Sequence, residues 1–246
     1  MDKDRSKILV SLWEPLINSF NKKVRAACLR RDEFLDRVLK HEATMLEKEV
    51  GKRNSDAAKD YITKHLAMLR RKPVNLKLGA ETVEAINLAC AQVNVPRDAF
   101  INRVILFLVV DHSFIRPLLG IDWDWAEGRV TEDYFQYFEP GMDGALRAVS
   151  STVDSDPFRF YRACIEVARA DGDASAMGLH EGFIPREYRP GKHAPVSWIG
   201  FNCYVPDSQV EGHPEYMDVD KLLAELDELF GGASHDSSEE HKEAKP

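Results

Sequence analysis

The stretch VNLKLGAETVEAI, beginning at Val74, alternates apolar and polar residues. Asn75 and Lys77 fall on one face, and Val74, Leu76 and Leu78 on the other. NKKVRAACL, from Asn21 to Leu29, alternates in the same way, with Lys23, Arg25 and Ala27 opposite Val24, Ala26 and Cys28. Amide, ammonium and guanidinium groups donate hydrogen bonds and attract anions, which is chemistry of recognition rather than of bond making. A second constellation is sparser. GLHEGF and GKHAP bring His180, Glu181 and His193 into a Gly/Pro-rich segment, with Cys164 and Cys203 as further candidates for a metal or acid–base site. Their spacing matches no recognised ligand set, so surface loop histidines are the expectation. No Gly-rich phosphate loop, paired-cysteine motif or nucleophile elbow occurs, so no catalytic residue, metal ligand or cofactor is assigned and the chain does not read as an enzyme.

The chain has 246 residues, 44% of them hydrophobic, enough for one large or two modest folded units. Its net charge of −8 conceals a division. Residues 1–110 carry 21 Lys/Arg against 14 Asp/Glu, and residues 111–246 carry 12 against 27. A basic module that meets a polyanion, followed by an acidic module that does not, is the reading this suggests. The longest apolar run, VILFLVV, is far short of the roughly 20 residues that cross a bilayer, so no membrane association is expected. Four well-separated cysteines in apolar surroundings and the absence of a leader pattern suit a cytoplasmic protein.

Several elements must position these residues. ILVSLWEPLI, within residues 1–20, reads as a short apolar lead to a strand from Lys23 to Leu29. Phe34, Leu35, Val38, Leu39, Met45, Leu46 and Val50 predict a helix over Asp32–Val50. GKRNS ends it, and Asn54 or Ser55 caps the next helix. After the basic connector RRKP, a strand over Val74–Leu78 leads into a helix over Ala80–Val93. A turn and a last helix over Arg97–Val110 follow, with Pro96 at its start. Strand–helix–turn–helix thus occurs twice. Beyond Asp111 the spacing predicts broken, aromatic-rich helices whose Trp123, Trp125, Tyr134, Phe135, Tyr137 and Phe138 read as core. A capped helix ending near Asp171, a strand in PVSWIGFNCYV, a helix in DVDKLLAELDELF and a polar tail over 231–246 complete the pattern.

PVNLKLGAETVEAINLACAQVNVPRDAFINRVILFLV resembles a ribbon-helix-helix DNA-binding domain of the MetJ/Arc superfamily, and the preceding unit resembles the same fold more loosely. The resemblance implies a mainly α (α+β) protein. Residues 21–72 and 73–110 would form tandem units of a pseudo-dimer, behind a lead over 1–20. An acidic mixed domain over 111–230 and a disordered tail would follow.

It implies that Lys23–Leu29 and Val74–Leu78 pair as a two-stranded antiparallel ribbon. Lys23, Arg25, Ala27, Asn75 and Lys77 would then face base edges in the major groove, where Arg and Lys suit guanine and Asn suits adenine. Phosphates would be held at second-helix starts by Ser55, Asp56, Pro96 and Arg97; apart from the resemblance, Arg30 and Arg31 are expected to add nonspecific attraction to the phosphate backbone. The expected partner is double-stranded DNA, bound by a monomer with an internal pseudo-dimer or by a higher assembly. Transcriptional repression or a plasmid or mobile-element role is implied, with a protein or small effector as a possible ligand of the C-terminal domain. The alternative is an antitoxin-like module that uses the same fold to bind protein.

Overall fold

The computed structural model describes residues 5–109, 115, 119, 121–134, 156–173, 176–181, 203–207 and 210. The described chain is mainly helical, with one small two-stranded antiparallel sheet. Strand β1 (Arg5–Trp13) is followed by α1 (Glu14–Ala26), α2 (Arg31–Val50) and α3 (Asp56–Met68). Strand β2 (Arg71–Gly79) then leads into α4 (Ala80–Val93) and α5 (Arg97–Val109). Helices α6 (Trp123–Tyr134) and α7 (Arg159–Ala170) come from the acidic half.

Alternation makes the sheet two-faced. Ile8, Val10 and Leu12 of β1 and Val74, Leu76 and Leu78 of β2 are buried, while Lys7, Leu9, Asn75 and Lys77 are exposed. The strands pair from Arg5 opposite Gly79 to Trp13 opposite Arg71, with Leu9 opposite Asn75 at the centre. Pro73 is tolerated because both strands of a two-stranded sheet are edges, where a missing amide hydrogen need break no ladder bond.

The helices after the second strand lie where the sequence places them, α4 over Ala80–Val93 and α5 ending at Val109, but β2 contains more than Val74–Leu78: Arg71, Lys72 and Pro73 of the expected RRKP connector pair with Trp13, Leu12 and Ser11 as its first residues. The first strand is not where the sequence places it. Lys23, Val24, Arg25 and Ala26 close α1, and Ala27 and Cys28 form a turn in which Cys28 has φ 56°. The alternation from Asn21 to Leu29 is incidental, since of its apolar positions only Val24 is buried while Ala26 and Cys28 are exposed. The operative period is helical: Leu16, Ile17, Phe20 and Val24 are the buried face of α1. The strand that pairs with β2 is instead RSKILVSLW, so the boundary drawn at residue 20 falls inside α1.

With that correction the two halves are in register. β2 starts 66 residues after β1 (5 to 71), α4 after α1 (14 to 80) and α5 after α2 (31 to 97). The turn before each second helix uses a left-handed residue at the matching position, Cys28 and Asn94, with φ 56° and 55°. LRRDEFLDRV and VPRDAFINRV occupy equivalent places (29 and 95).

In the acidic half, Trp123 of α6 meets Tyr161 of α7 edge-on at 5.8 Å and is buried as expected. Trp125 is partly exposed, beneath Arg129. Cys203–Pro206, at the end of the expected strand, is not in a strand. The rest of that strand, the side chains of Tyr134, Phe135, Tyr137 and Phe138, the helix in DVDKLLAELDELF and the tail all lie outside the described residues.

The two faces of the sheet differ in what a truncation costs. Leu76→Ala removes a fully buried side chain and is expected to lower unfolding free energy by about 2–5 kcal/mol. Leu9→Ala, on the outer face, should change it by no more than about 0.5 kcal/mol. Urea titration of both variants measures the contrast.

Candidate functional site

A two-stranded ribbon has two free edges, each a row of amides and carbonyls without a ladder partner. Here side chains from the starts of α2 and α5 engage several of these groups on each edge. Arg31 Nη2 donates to the Asn75 carbonyl at 3.0 Å, and Arg97 Nη2 donates to the Leu9 carbonyl at 2.9 Å. Lys77 N donates to Asp32 Oδ2 at 3.1 Å, and Ser11 N to Asp98 Oδ2 at 3.0 Å. Gly79 N donates to Asp36 Oδ1 at 2.7 Å, and Trp13 N to Asn102 Oδ1 at 2.9 Å. Each member of these three pairs lies 66 residues from its counterpart (31 and 97, 32 and 98, 36 and 102), and each half serves the other half's strand.

The outer face between the capped edges is polar and basic. Lys7 and Lys77 are opposite one another, Leu9 faces Asn75 and Ser11 faces Pro73. Like charges directly across a sheet repel, so the Lys7–Lys77 pair is a cost that an anion or a set of hydrogen-bond acceptors would relieve. Arg71 and Lys72 are also exposed on β2.

A cavity flanks each end of the ribbon. One, of about 510 Å³, is lined by Arg5, Asn21, Arg25, Arg30, Arg31 and Asp32 among others. The other, of about 310 Å³, is lined by Arg71, Asn87, Pro96, Arg97 and Asp98, with Thr63 and Leu66 of α3. Arg5 and Arg71, Asn21 and Asn87, Arg30 and Pro96, Arg31 and Arg97, and Asp32 and Asp98 are equivalent positions, so these are one feature present twice. Both open at the amino end of a helix, where the first-turn amides and their partial positive charge favour anions. Asp32 and Asp98 are bonded to the ribbon instead of projecting into the cavity as free carboxylates.

The expected recognition residues therefore divide. Asn75 and Lys77 lie on the exposed ribbon face, and Arg30, Arg31, Pro96 and Arg97 line the flanking cavities. Lys23, Arg25 and Ala27 are not on a strand; Arg25 instead borders the larger cavity from the end of α1. Ser55 and Asp56 start α3, and both are engaged by other parts of the chain. Ser55 Oγ accepts from Ala58 N at 3.0 Å and donates to Asp207, while Asp56 accepts from Asn94 Nδ2 at 3.0 Å. Arg70 is paired with Glu14 at 2.6 Å, and Arg53 caps α4 by donating to the carbonyls of Ala91 and Gln92. Arg5, Lys7, Leu9 and Ser11 escaped the sequence reading because their strand did.

His180 is not a surface loop residue. It is buried, and its Nε2 lies 2.7 Å from Glu42 Oε2 on α2. Arg162 of α7 donates to both oxygens of Glu42 at 3.0 and 2.9 Å and is ion-paired with Glu49 and Asp156. Burial opposes the charge on His180, but Cys203, Glu42 and Glu49 outweigh it and push its pKa up to about 10. Burial likewise favours the neutral acid of Glu42, and its contacts with His180 and Arg162 still hold it below the ordinary carboxylate value.

His41, Glu42 and Asp156 place ligand atoms within 4.8 Å of one another, as a metal would need, but Arg162 already supplies positive charge to both carboxylates. Cys203 Sγ lies 3.9 Å from His180 Nδ1, a carboxylate–imidazole–thiol order that can support a nucleophile. The thiol is fully buried, so the group is better suited to fastening the C-terminal half against α2. His193 lies outside the described residues.

Comparison with known protein families, characterised proteins and solved structures finds no match to this chain.

Two outcomes follow from the buried ion pairs. Glu42→Gln leaves Arg162 and His180 short of a counter-charge and should cost about 3–5 kcal/mol of stability. The folded pKa of His180 lies above its ordinary 6.5, so its contribution is complete below about 6.5 and is lost as pH rises through about 10. Wild-type protein should therefore lose stability across that window, and His180→Gln should show a smaller decline. Urea midpoints at pH 6.5 and pH 9.5 measure both.

Proposed function

We propose that this chain binds double-stranded DNA by laying the outer face of the β1–β2 ribbon into the major groove, with the two cavities receiving backbone phosphates on either side. In this reading residues 5–50 and 71–109 are the two ribbon-helix-helix halves of an intrachain pseudo-dimer, and α3 joins them. The acidic half is a separate unit braced against α2 by Arg162 and His180.

The observation that carries the proposal is an exposed, cationic ribbon face whose two edges are already partly occupied. A face that displays Lys7, Asn75 and Lys77 offers donors suited to guanine O6 and N7 and to adenine N6 and N7. The major groove is wide enough for a two-stranded ribbon. Because Arg31, Asp32, Asp36, Arg97, Asp98 and Asn102 occupy edge groups, a protein partner adding a third strand would have to displace them. That argues against the strand-addition form of the protein-binding alternative and favours a partner that approaches face-on. Equivalent arginines at matching positions suit the two strands of a duplex. The ribbon-helix-helix resemblance implies a transcriptional or mobile-element role. Among the described residues no helix is long and apolar enough to cross a membrane.

Lys7→Ala, Asn75→Ala and Lys77→Ala should each weaken binding to a selected duplex by about 1–3 kcal/mol without unfolding the protein, because all three side chains are exposed. Arg97→Ala should weaken binding to all sequences and reduce the dependence of affinity on salt. Fluorescence anisotropy at two salt concentrations separates the effects. Unchanged binding by the Lys7, Asn75 and Lys77 variants would remove the ribbon from the interface.

A further inference from the structure

The frame that holds the ribbon is the same in both halves, whereas the face it presents is not. Equivalent outer positions pair Lys7 with Pro73, Leu9 with Asn75 and Ser11 with Lys77. The clamp residues flanking them, Arg31 and Arg97 with Asp32 and Asp98, are identical. Matched clamps would seat both halves on a duplex in the same way, and the unmatched face would then meet different chemistry in each half.

Leu9 is the least expected residue on that face. It is 59% exposed at the centre of the ribbon, beside Lys7, Ser11, Asn75 and Lys77. In the major groove the one apolar feature on a base edge is the thymine methyl, which aliphatic side chains contact. Across the ribbon sits Asn75, whose amide matches the acceptor–donor edge of adenine. The centre of the ribbon therefore carries a thymine reader and an adenine reader side by side. At one end Lys7 and Lys77 stand opposite each other and can both donate to guanine acceptors. At the other end Ser11 faces Pro73, which has no donor.

Resting on the DNA-binding reading above, we infer that the chain recognises a non-self-complementary DNA site. That site has A·T pairs at its centre, where Leu9 contacts a thymine methyl, and guanine on one flank only, under Lys7 and Lys77. A single chain then has a defined direction on DNA, which two identical chains paired through equivalent strands would lack.

Selection of duplexes by the full chain from a random-sequence pool, followed by replacement of each thymine by uracil in the recovered duplex, tests this. Uracil lacks only the methyl. Replacement at one central position should weaken the wild-type protein about fourfold, roughly the worth of one buried methyl, and leave Leu9→Ala unaffected. Circular dichroism confirms that Leu9→Ala is folded. A recovered site that is palindromic, or a Leu9→Ala protein as sensitive to uracil as wild type, overturns the inference and leaves DNA recognition intact. Binding without any recovered sequence overturns base readout and this inference but leaves DNA binding standing, whereas no binding overturns the DNA reading as well.

Discussion

The fold depends on how the edges of a two-strand sheet are closed. Two strands alone expose too many unpaired backbone groups to be stable in water. In this protein the starts of α2 and α5 each reach across to the strand of the other half, an arginine to its central carbonyl and carboxylate or amide oxygens to its amides. The exchange ties the halves together at the ribbon. Under it, Val10, Leu12, Leu76 and Leu78 form a dry floor with the helices.

That constraint shapes what the surface can do. With several edge groups occupied, the route left open to a partner is the outer face, and there the side chains are free to differ between the halves without disturbing the frame. Lys7, Leu9 and Ser11 can diverge from Pro73, Asn75 and Lys77 because none of the six is needed for the core. Among the described residues of the acidic half, Arg162 and His180 are fastened to Glu42, and Cys203 and Val205 to Asn54. On the ribbon's outer face Lys7, Leu9, Asn75 and Lys77 are exposed.

Much of the second half was legible in the sequence. VNLKL alternates cleanly, Gly79 breaks it, and the helical period starts at once, so β2, α4 and α5 follow from pattern alone. The first half misled for a physical reason. Leu9 on the outer face and Trp13 at the strand's end turn ILVSLW into a nearly continuous apolar run, hiding the period of two that Ile8, Val10 and Leu12 would otherwise show. The end of α1 offered a decoy alternation in its place. The side chain that concealed the strand is the same one that stands exposed at the centre of the ribbon. The buried ion pairs had no sequence signal at all, since Glu42 meets Arg162 and His180 across more than a hundred residues of chain.

The most direct test of the account is a nuclear magnetic resonance titration of the isotope-labelled full chain with a selected DNA duplex. The account predicts that the backbone amides of residues 5–13 and 71–79, the side-chain amide of Asn75 and the first-turn amides of α2 and α5 shift together, while those of α7 do not. Shifts centred on α6 and α7, with the ribbon amides unmoved, would contradict it.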